Sequence, residues 1–455
     1  MTDATLSERL AEWGASLTAD RVPEGMREKT EEVLIDVVGL CLAARRTDYV
    51  ACVIEAAERG NHVAVGHGER LSGADAALVN GTAAHGEDFD DTFEGGPVHS
   101  GAVIVPAVLA AAERSGLPGE RILLGMAAGL EIMCRLGLVA PKAIHKAGFH
   151  PTAVLGALAA AFAVGVAEGA NANGLRNALG IAGSMASGII EYLGDGSWTK
   201  RMHAGWAAQS GLRAAAIGGA GFVGPRAVLE GKHGFFKAFA PSIEPFYDKL
   251  TDGLGKRWRA ETITFKPYPC GTMVQPYIDC ARRLRTDGVP LSGIARIRCM
   301  TSEGYVHRLW EPLELKRNPP SGYAAKFSIP FGIALGLVRG EAGLADFSDE
   351  AIHDERLLAV SRLVTYEIDP DDPYPDRFTG HVRVEMRDGK VFEARQGHIR
   401  GGVDEPLSRS DIEAKFLANA RYGGVPDGEA LLRLCPGLLN GRDAARRVAG
   451  LSVTR

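Results

Sequence analysis

Apolar residues recur every three or four positions through residues 31–44, 51–59, 103–115, 119–138 and 152–168, the spacing of helices that bury one face. Residues 74–90 continue the pattern, and residues 1–10 start an acidic amphipathic helix. Alanine and glycine crowd the stretch 152–220, so helix backbones there can approach closely, as central helices of a tightly packed core do. Strand-like alternation is scarce before residue 260.

Beyond that point the period shortens to two. Alternation starts at Glu261 and returns in 294–300 and 362–368. Residues 381–386 and 391–394, joined by Arg387, Asp388, Gly389 and Lys390, read as a hairpin. Helical patterns interleave at 274–284 and 325–337. After Arg400, Gly401 and Gly402 the helical period resumes, with Ser410 as a candidate N-cap and a last helix at 428–434. The expected architecture is mainly α. Residues 1–261 and 399–455 form an all-helical domain, and a smaller α+β domain, 262–398, is inserted before the C-terminal helices. A chain of 455 residues also exceeds the usual size of one core.

Composition narrows the function classes. With 24% charged residues, a formal net charge of −5 and no lysine and arginine cluster, the chain has no face for nucleic acid. Positive charge for an anionic ligand must therefore be local. The seven cysteines contain no C-x-x-C pair, which fits reduced thiols in a cytoplasm and argues against a cysteine-bound zinc or iron–sulfur group. The first residues lack the layout of a signal peptide, and the longest apolar run, 153–167, reads as a buried helix and not a membrane span.

The densest chemistry lies in His85, Asp88, Asp90, Asp91 and Thr92, followed by Gly95, Gly96, Pro97, His99 and Ser100. A helix over 74–90 would place His85 and Asp88 three apart on one face, with Asp91 close behind. The Gly-Gly-Pro break stops it, so His99 stands at the entrance of the next helix, where an anion is favoured. Taken singly, such acids and histidines are ordinary caps and hydrogen-bonding groups; together they suit proton transfer on an acidic substrate. Asp90, Asp91 and Glu94 also read as a magnesium-diphosphate motif of a helical prenyl-transfer enzyme, but the chain has no second such cluster.

His150, placed before Pro151 and a long small-residue helix, repeats the geometry of His99. Lys200, Arg201 and His203 lie in a glycine-bearing loop leading into a helix at 206–218 and offer cations to a carboxylate. Lys266 and Cys270 fall where the two domains meet, a common place for ligand pockets. Cys270 has no histidine within a few residues, which argues against a nucleophile.

In their order along the chain these segments resemble the MmgE/PrpD family. The residues that carry the resemblance run from Asp88 to Thr92 with His99, from Gly148 to Thr152, and from Thr199 to His203. They continue from Phe265 to Pro269, from Ala325 to Pro330, and at Arg400 and Gly401. The resemblance implies a helical domain plus an α+β lid, a homodimer, a site in a cleft between the domains, and no metal or organic cofactor. It implies a pocket of Asp88, Thr92, His99, His150, Lys200 and Lys266, with His203 beside them. Where the decarboxylase branch has a further histidine and a tyrosine, this chain has Cys270 and Phe331, and Tyr323 offers a nearby phenol.

The family's chemistry changes bonds beside a carboxylate. That implies carboxylate-holding roles for Lys200 and Lys266, proton transfer by His150 or His99, an orienting role for Asp88 and a hydrogen bond from Thr92. A hydro-lyase of the 2-methylcitrate dehydratase type is the first expectation. Epimerisation of an imino- or amino-dicarboxylate, decarboxylation of cis-aconitate, and a binding protein without turnover are the alternatives. The expected partner is a small anionic carboxylate, with no nucleic acid and no membrane.

Overall fold

The computed structural model describes residues 4–453. They form two compact units, one comprising the chain up to Thr264 together with the chain from Ser408, the other Phe265–Leu407.

The larger unit is helical. Helix α1 (Leu6–Ala15) opens behind a capping box of Thr5 and Glu8, while residues 1–3 of the expected first helix lie outside the described residues. Helix α2 (Glu24–Ala44) follows Pro23. The helix expected over 51–59 is instead Asp48–Glu55, and Arg59 already belongs to β1 (Arg59–Val63), which pairs with β2 (Arg70–Leu71). Then come α3 (Gly73–His85), α4 (Gly101–Ser115), α5 (Gly119–Val139), α6 (Pro151–Glu168), α7 (Ala172–Met185) and α8 (Thr199–Gly219).

The centre is α6, buried at every position from Pro151 to Ala167. It is apolar on all sides because α4, α5, α7 and α8 all pack around it. By length and composition α5 and α6 could each cross a membrane, yet 94% of each apolar window is buried inside the protein, as core helices require. Helices α3 and α8 meet glycine on glycine: a Cβ on Gly205 would strike the carbonyl oxygen of Leu78, and one on Gly81 would strike the backbone of Gly205. Only bare backbone allows this approach, and it brings the start of α8 beside the end of α3.

Two helix ends differ from the periodicity, and both bear on chemistry. Helix α3 stops at His85, five residues early, because Asp88 turns into the left-handed region at φ 56°. Helix α8 starts at Thr199 and not at Trp206, so Lys200 and His203 stand one turn apart on a helix, not in a loop.

In the smaller unit, helices α9 (Gln275–Thr286) and α10 (Ile329–Val338) accompany a four-stranded sheet of order β4-β3-β5-β6. Its strands are β3 (Ile294–Thr301), β4 (Val364–Ile368), β5 (Gly380–Met386) and β6 (Val391–Gln396). Strands β3 and β4 run parallel and the others antiparallel, with β5 and β6 the expected hairpin and Gly389 at φ 86° in its turn. The alternation at Glu261 forms no strand: Arg259–Thr262 is a 3-10 turn, and Thr264 makes a single bridge to Thr92. Pro267 and Pro269 deny the segment its ladder donors. Helix α10 begins at Ile329, where Ser328 caps it and Pro330 fits the first turn.

The chain then returns through α11 (Arg409–Tyr422) and α12 (Gly428–Asn440). The N-cap of α11 is Ser408, in a capping box with Asp411, and not Ser410. Lys415 on α11 pairs with Asp36 on α2 at 2.7 Å, donates to the carbonyl of Phe89 at 2.7 Å and lies 3.9 Å from the centre of the Phe89 ring. A buried cation thus pins the acidic loop after α3 from behind.

Candidate active site

Four histidines converge inside the larger unit. His85 ends α3, His99 stands two residues before α4, His150 is the N-cap of α6, and His203 lies in the second turn of α8. The His85 ring is 5.0 Å from that of His99 and 5.4 Å from that of His150, which in turn is 5.3 Å from His203. All are buried except His99, whose side chain is 14% exposed. His99 is therefore the imidazole a substrate can reach.

The loop from Gly86 to Ser100 is fixed by hydrogen bonds. The Asp91 carboxylate accepts from the amides of Ser100 at 3.0 Å and Gly101 at 2.9 Å, capping α4. Those amides are spoken for, so the acceptor at the mouth of α4 is the protein's own Asp91. Burial, with the charge of Asp90 next, pushes Asp91 up to about 8 against the pull of these amides. The His99 amide donates to Thr152 Oγ1 at 3.1 Å, tying this loop to the first turn of α6. His150 is held from the other side, its amide donating to the Gly188 carbonyl at 2.9 Å.

These anchors set the tautomers. His99 Nδ1 is 2.7 Å from the carbonyl oxygen of Asp91, which can only accept, so Nδ1 carries the proton and Nε2 is left as the base. Thr92 Oγ1 lies 3.5 Å from the same Nδ1. His150 and His203 face each other Nδ1 to Nδ1 at 3.2 Å, an arrangement that needs one proton between them. Burial is the first cause that lowers both, with the charges of His85 and Lys200 following. His203 is brought down to about 4, and His150 falls well below its ordinary value. Both are neutral at neutral pH.

Asp88, which the sequence places beside His85, instead forms a salt bridge with Lys200 on α8. Its left-handed backbone turns the carboxylate there, at a strain of about 1–2 kcal/mol for a residue with a Cβ. His85 pairs with Asp90, Nδ1 to Oδ2 at 2.6 Å, both side chains fully enclosed. Asp90 and Asp91 are each 0% exposed, unlike the solvent-facing acids of a magnesium-diphosphate site. The donor atoms of His85, Asp90 and His99 do lie within 4.8 Å of one another, a spacing that a cation could bridge.

Of the residues singled out in the sequence, Asp88, Thr92, His99, His150, Lys200 and His203 therefore come together. His85 and Asp90, from the same motif but not among the expected site residues, join the cluster. So does Tyr192, whose ring meets His203 at 5.8 Å and His150 at 6.4 Å edge-on, and which no local pattern marks. Lys266, Cys270, Tyr323 and Phe331 belong to the smaller unit. There Lys266 is buried, Cys270 and Phe331 are wholly enclosed in the apolar core, and Tyr323 packs on Phe327 at 5.5 Å.

The sequence matches the MmgE/PrpD N-terminal domain over residues 8–245 and the MmgE/PrpD C-terminal domain over residues 268–432. Cis-aconitate decarboxylase of Aspergillus terreus is 28% identical over 457 residues, covering 93% of this chain and 90% of the relative. The mouse enzyme of that name is 27% identical, covering 91% and 87%. The human one is 30% identical over 372 residues, covering 77% and 73%. On both matched domains and on these relatives, the chain belongs to the MmgE/PrpD family, a family with lyases among its members.

Proposed function

We propose that the protein is a lyase that moves a proton at a carbon beside a carboxylate of a small di- or tricarboxylic acid. The observation that carries this is His99: a reachable imidazole whose Nδ1 proton is held by the Asp91 carbonyl, so that Nε2 is a ready base. Lys200, one turn from His203, supplies the charge that would hold a substrate carboxylate and the enolate-like state derived from it. In the resting site that charge is shared with Asp88, so the substrate anion joins an existing pair.

For a hydroxy acid, Nε2 takes the proton from carbon and hands it to the leaving hydroxyl. Water departs, the double bond remains and the imidazole is neutral again. Hydro-lyase chemistry of the 2-methylcitrate dehydratase type is our first reading. Cys270 and Phe331, which replace the histidine and tyrosine implied by the decarboxylase branch, favour it. Decarboxylation is the second, favoured by the names of the relatives. Lys266 is a second candidate carboxylate holder.

We further propose that the active form is a homodimer. Seven of the fourteen large apolar side chains exposed among the described residues fall between Ile189 and Val223, Trp198, Trp206 and Phe222 among them. Light scattering at micromolar concentration should give twice the 48.3 kDa chain mass; a monomer would refute this part.

The functional test is a panel of 2-methylcitrate, citrate, cis-aconitate and malate, followed for release of water or carbon dioxide. Cleavage of one acid supports the reading, and inversion without cleavage replaces it with an epimerase.

A further inference from the structure

Asp90 lies among imidazoles. One oxygen of its carboxylate is 2.6 Å from His85 Nδ1, the other 3.4 Å from His99 Nδ1. Its side chain and that of His85 are 0% exposed, so neither is a first point of contact for a substrate. A carboxylate 2.6 Å from a ring nitrogen favours a proton on it, because an acceptor this close to an unprotonated Nδ1 would oppose two lone pairs. His85 Nε2 is buried and makes no hydrogen bond among the described residues. The His85 ring packs against both His99 and His150, at 24° to the latter, and those two rings stand 6.5 Å apart.

Such a cluster is a costly way to fill a core, since a buried charge near polar rings stabilises less than packed apolar side chains would. Metal-free enzymes use the same arrangement to hold an imidazole in one tautomer and orientation. We propose that Asp90 and His85 form a positioning pair: Asp90 holds the Nδ1 proton on His85, and the His85 ring, packed against both, sets the angle at which His99 and His150 meet the substrate. The proposal rests on the function proposed above for its kinetic consequence, but not for its structural one.

Two measurements on Asp90→Asn separate these. The first is nitrogen-15 NMR of histidine-labelled protein, which reads each ring's tautomer without any substrate. The amide can donate where the carboxylate accepted, so the His85 ring should shift to the Nε2-protonated or a mixed form. The second is turnover: kcat should fall about 10²- to 10⁴-fold while KM changes far less, as when an orienting carboxylate is neutralised. Unchanged tautomers overturn the pair, and so does unchanged kcat. If the wild-type protein cleaves none of the acids tested, the functional reading has failed, and the NMR result still decides whether Asp90 sets the tautomers. Should Asp90→Asn not fold, His85→Gln serves: it keeps a donor for Asp90 but removes the ring. A His99 signal and a kcat both like wild type would then overturn the proposal.

Discussion

His99 Nδ1 lies 2.7 Å from the carbonyl oxygen of Asp91, in the same residue that caps α4 through its carboxylate. One residue thus fixes both where His99 stands and which nitrogen it offers. A base so defined contributes about 10²- to 10⁴-fold to proton transfer. His99→Gln should lower kcat by that factor with a melting temperature close to wild type, since the side chain is partly exposed. Steady-state kinetics beside calorimetry checks it; undiminished kcat would move the base to another histidine.

Lys200→Met should raise KM by more than tenfold, because it removes the cation for the substrate carboxylate. It should also destabilise the fold, because it removes the cation that pairs with the buried Asp88. Lys200→Met combined with Asp88→Asn should recover stability without recovering KM. Recovery of both would assign the pair a structural role alone. Urea unfolding and saturation kinetics give the two readings.

The histidine cluster has a signature in stability. His203 is held down to about 4, whereas the unfolded chain takes up a proton near 6.5, so the stability gained from keeping it neutral is full above 6.5 and lost as pH falls toward 4. The swing is about 3 kcal/mol at ~1.4 kcal/mol per pH unit. His203→Asn should therefore gain on wild type by roughly that amount between pH 6.5 and 4. Asp91 has the opposite sign: raised to about 8, its contribution is full below ~3.9 and lost as pH rises through 8. Asp91→Asn should gain on wild type over that interval. Urea midpoints across pH 4 to 8 test both, and parallel curves for variant and wild type would refute them.

Gly205→Ala adds one methyl against the Leu78 carbonyl and should cost about 1–3 kcal/mol by forcing α8 off α3. Because Lys200 and His203 ride on α8 and His85 on α3, kcat should fall with stability. Loss of stability with full kcat would mean that the helix spacing does not set the site.

Much of the site was legible because its residues cluster in sequence: Asp88 to Thr92 with His99, and His150 before Pro151, announce themselves by density and by proline. The partners were not. Helical spacing paired His85 with Asp88, but the left-handed turn at Asp88 ends α3 and hands His85 to Asp90 and Asp88 to Lys200. The glycines and Trp198 before α8 disguised its first turn, for no side chain caps it, so Lys200 and His203 read as loop residues. Tyr192 reaches the cluster only through tertiary packing, which no local period encodes. The strand expected at Glu261 failed for a related reason: its alternation was real, but a ladder needs donors that Pro267 and Pro269 lack.

The donor atoms of His85, Asp90 and His99 could hold a cation, but one would have to displace the 2.6 Å bond between His85 and Asp90. Turnover and melting temperature should both survive exhaustive EDTA treatment. Loss of either, restored by one added divalent metal, would make this cluster a metal centre.

The central claim is that His99 moves a proton beside a substrate carboxylate on the way to bond cleavage. Its most direct test is proton NMR in deuterated water, comparing wild type with His99→Gln on whichever acid the wild type turns over. The wild type should lose water with the carbon-bound proton, or lose carbon dioxide with solvent deuterium taken up at the carbon that lost it, and either reaction should be slowed at least about 10²-fold in the variant. Cleavage at the wild-type rate in the variant, or deuterium entry without cleavage in the wild type, would contradict it.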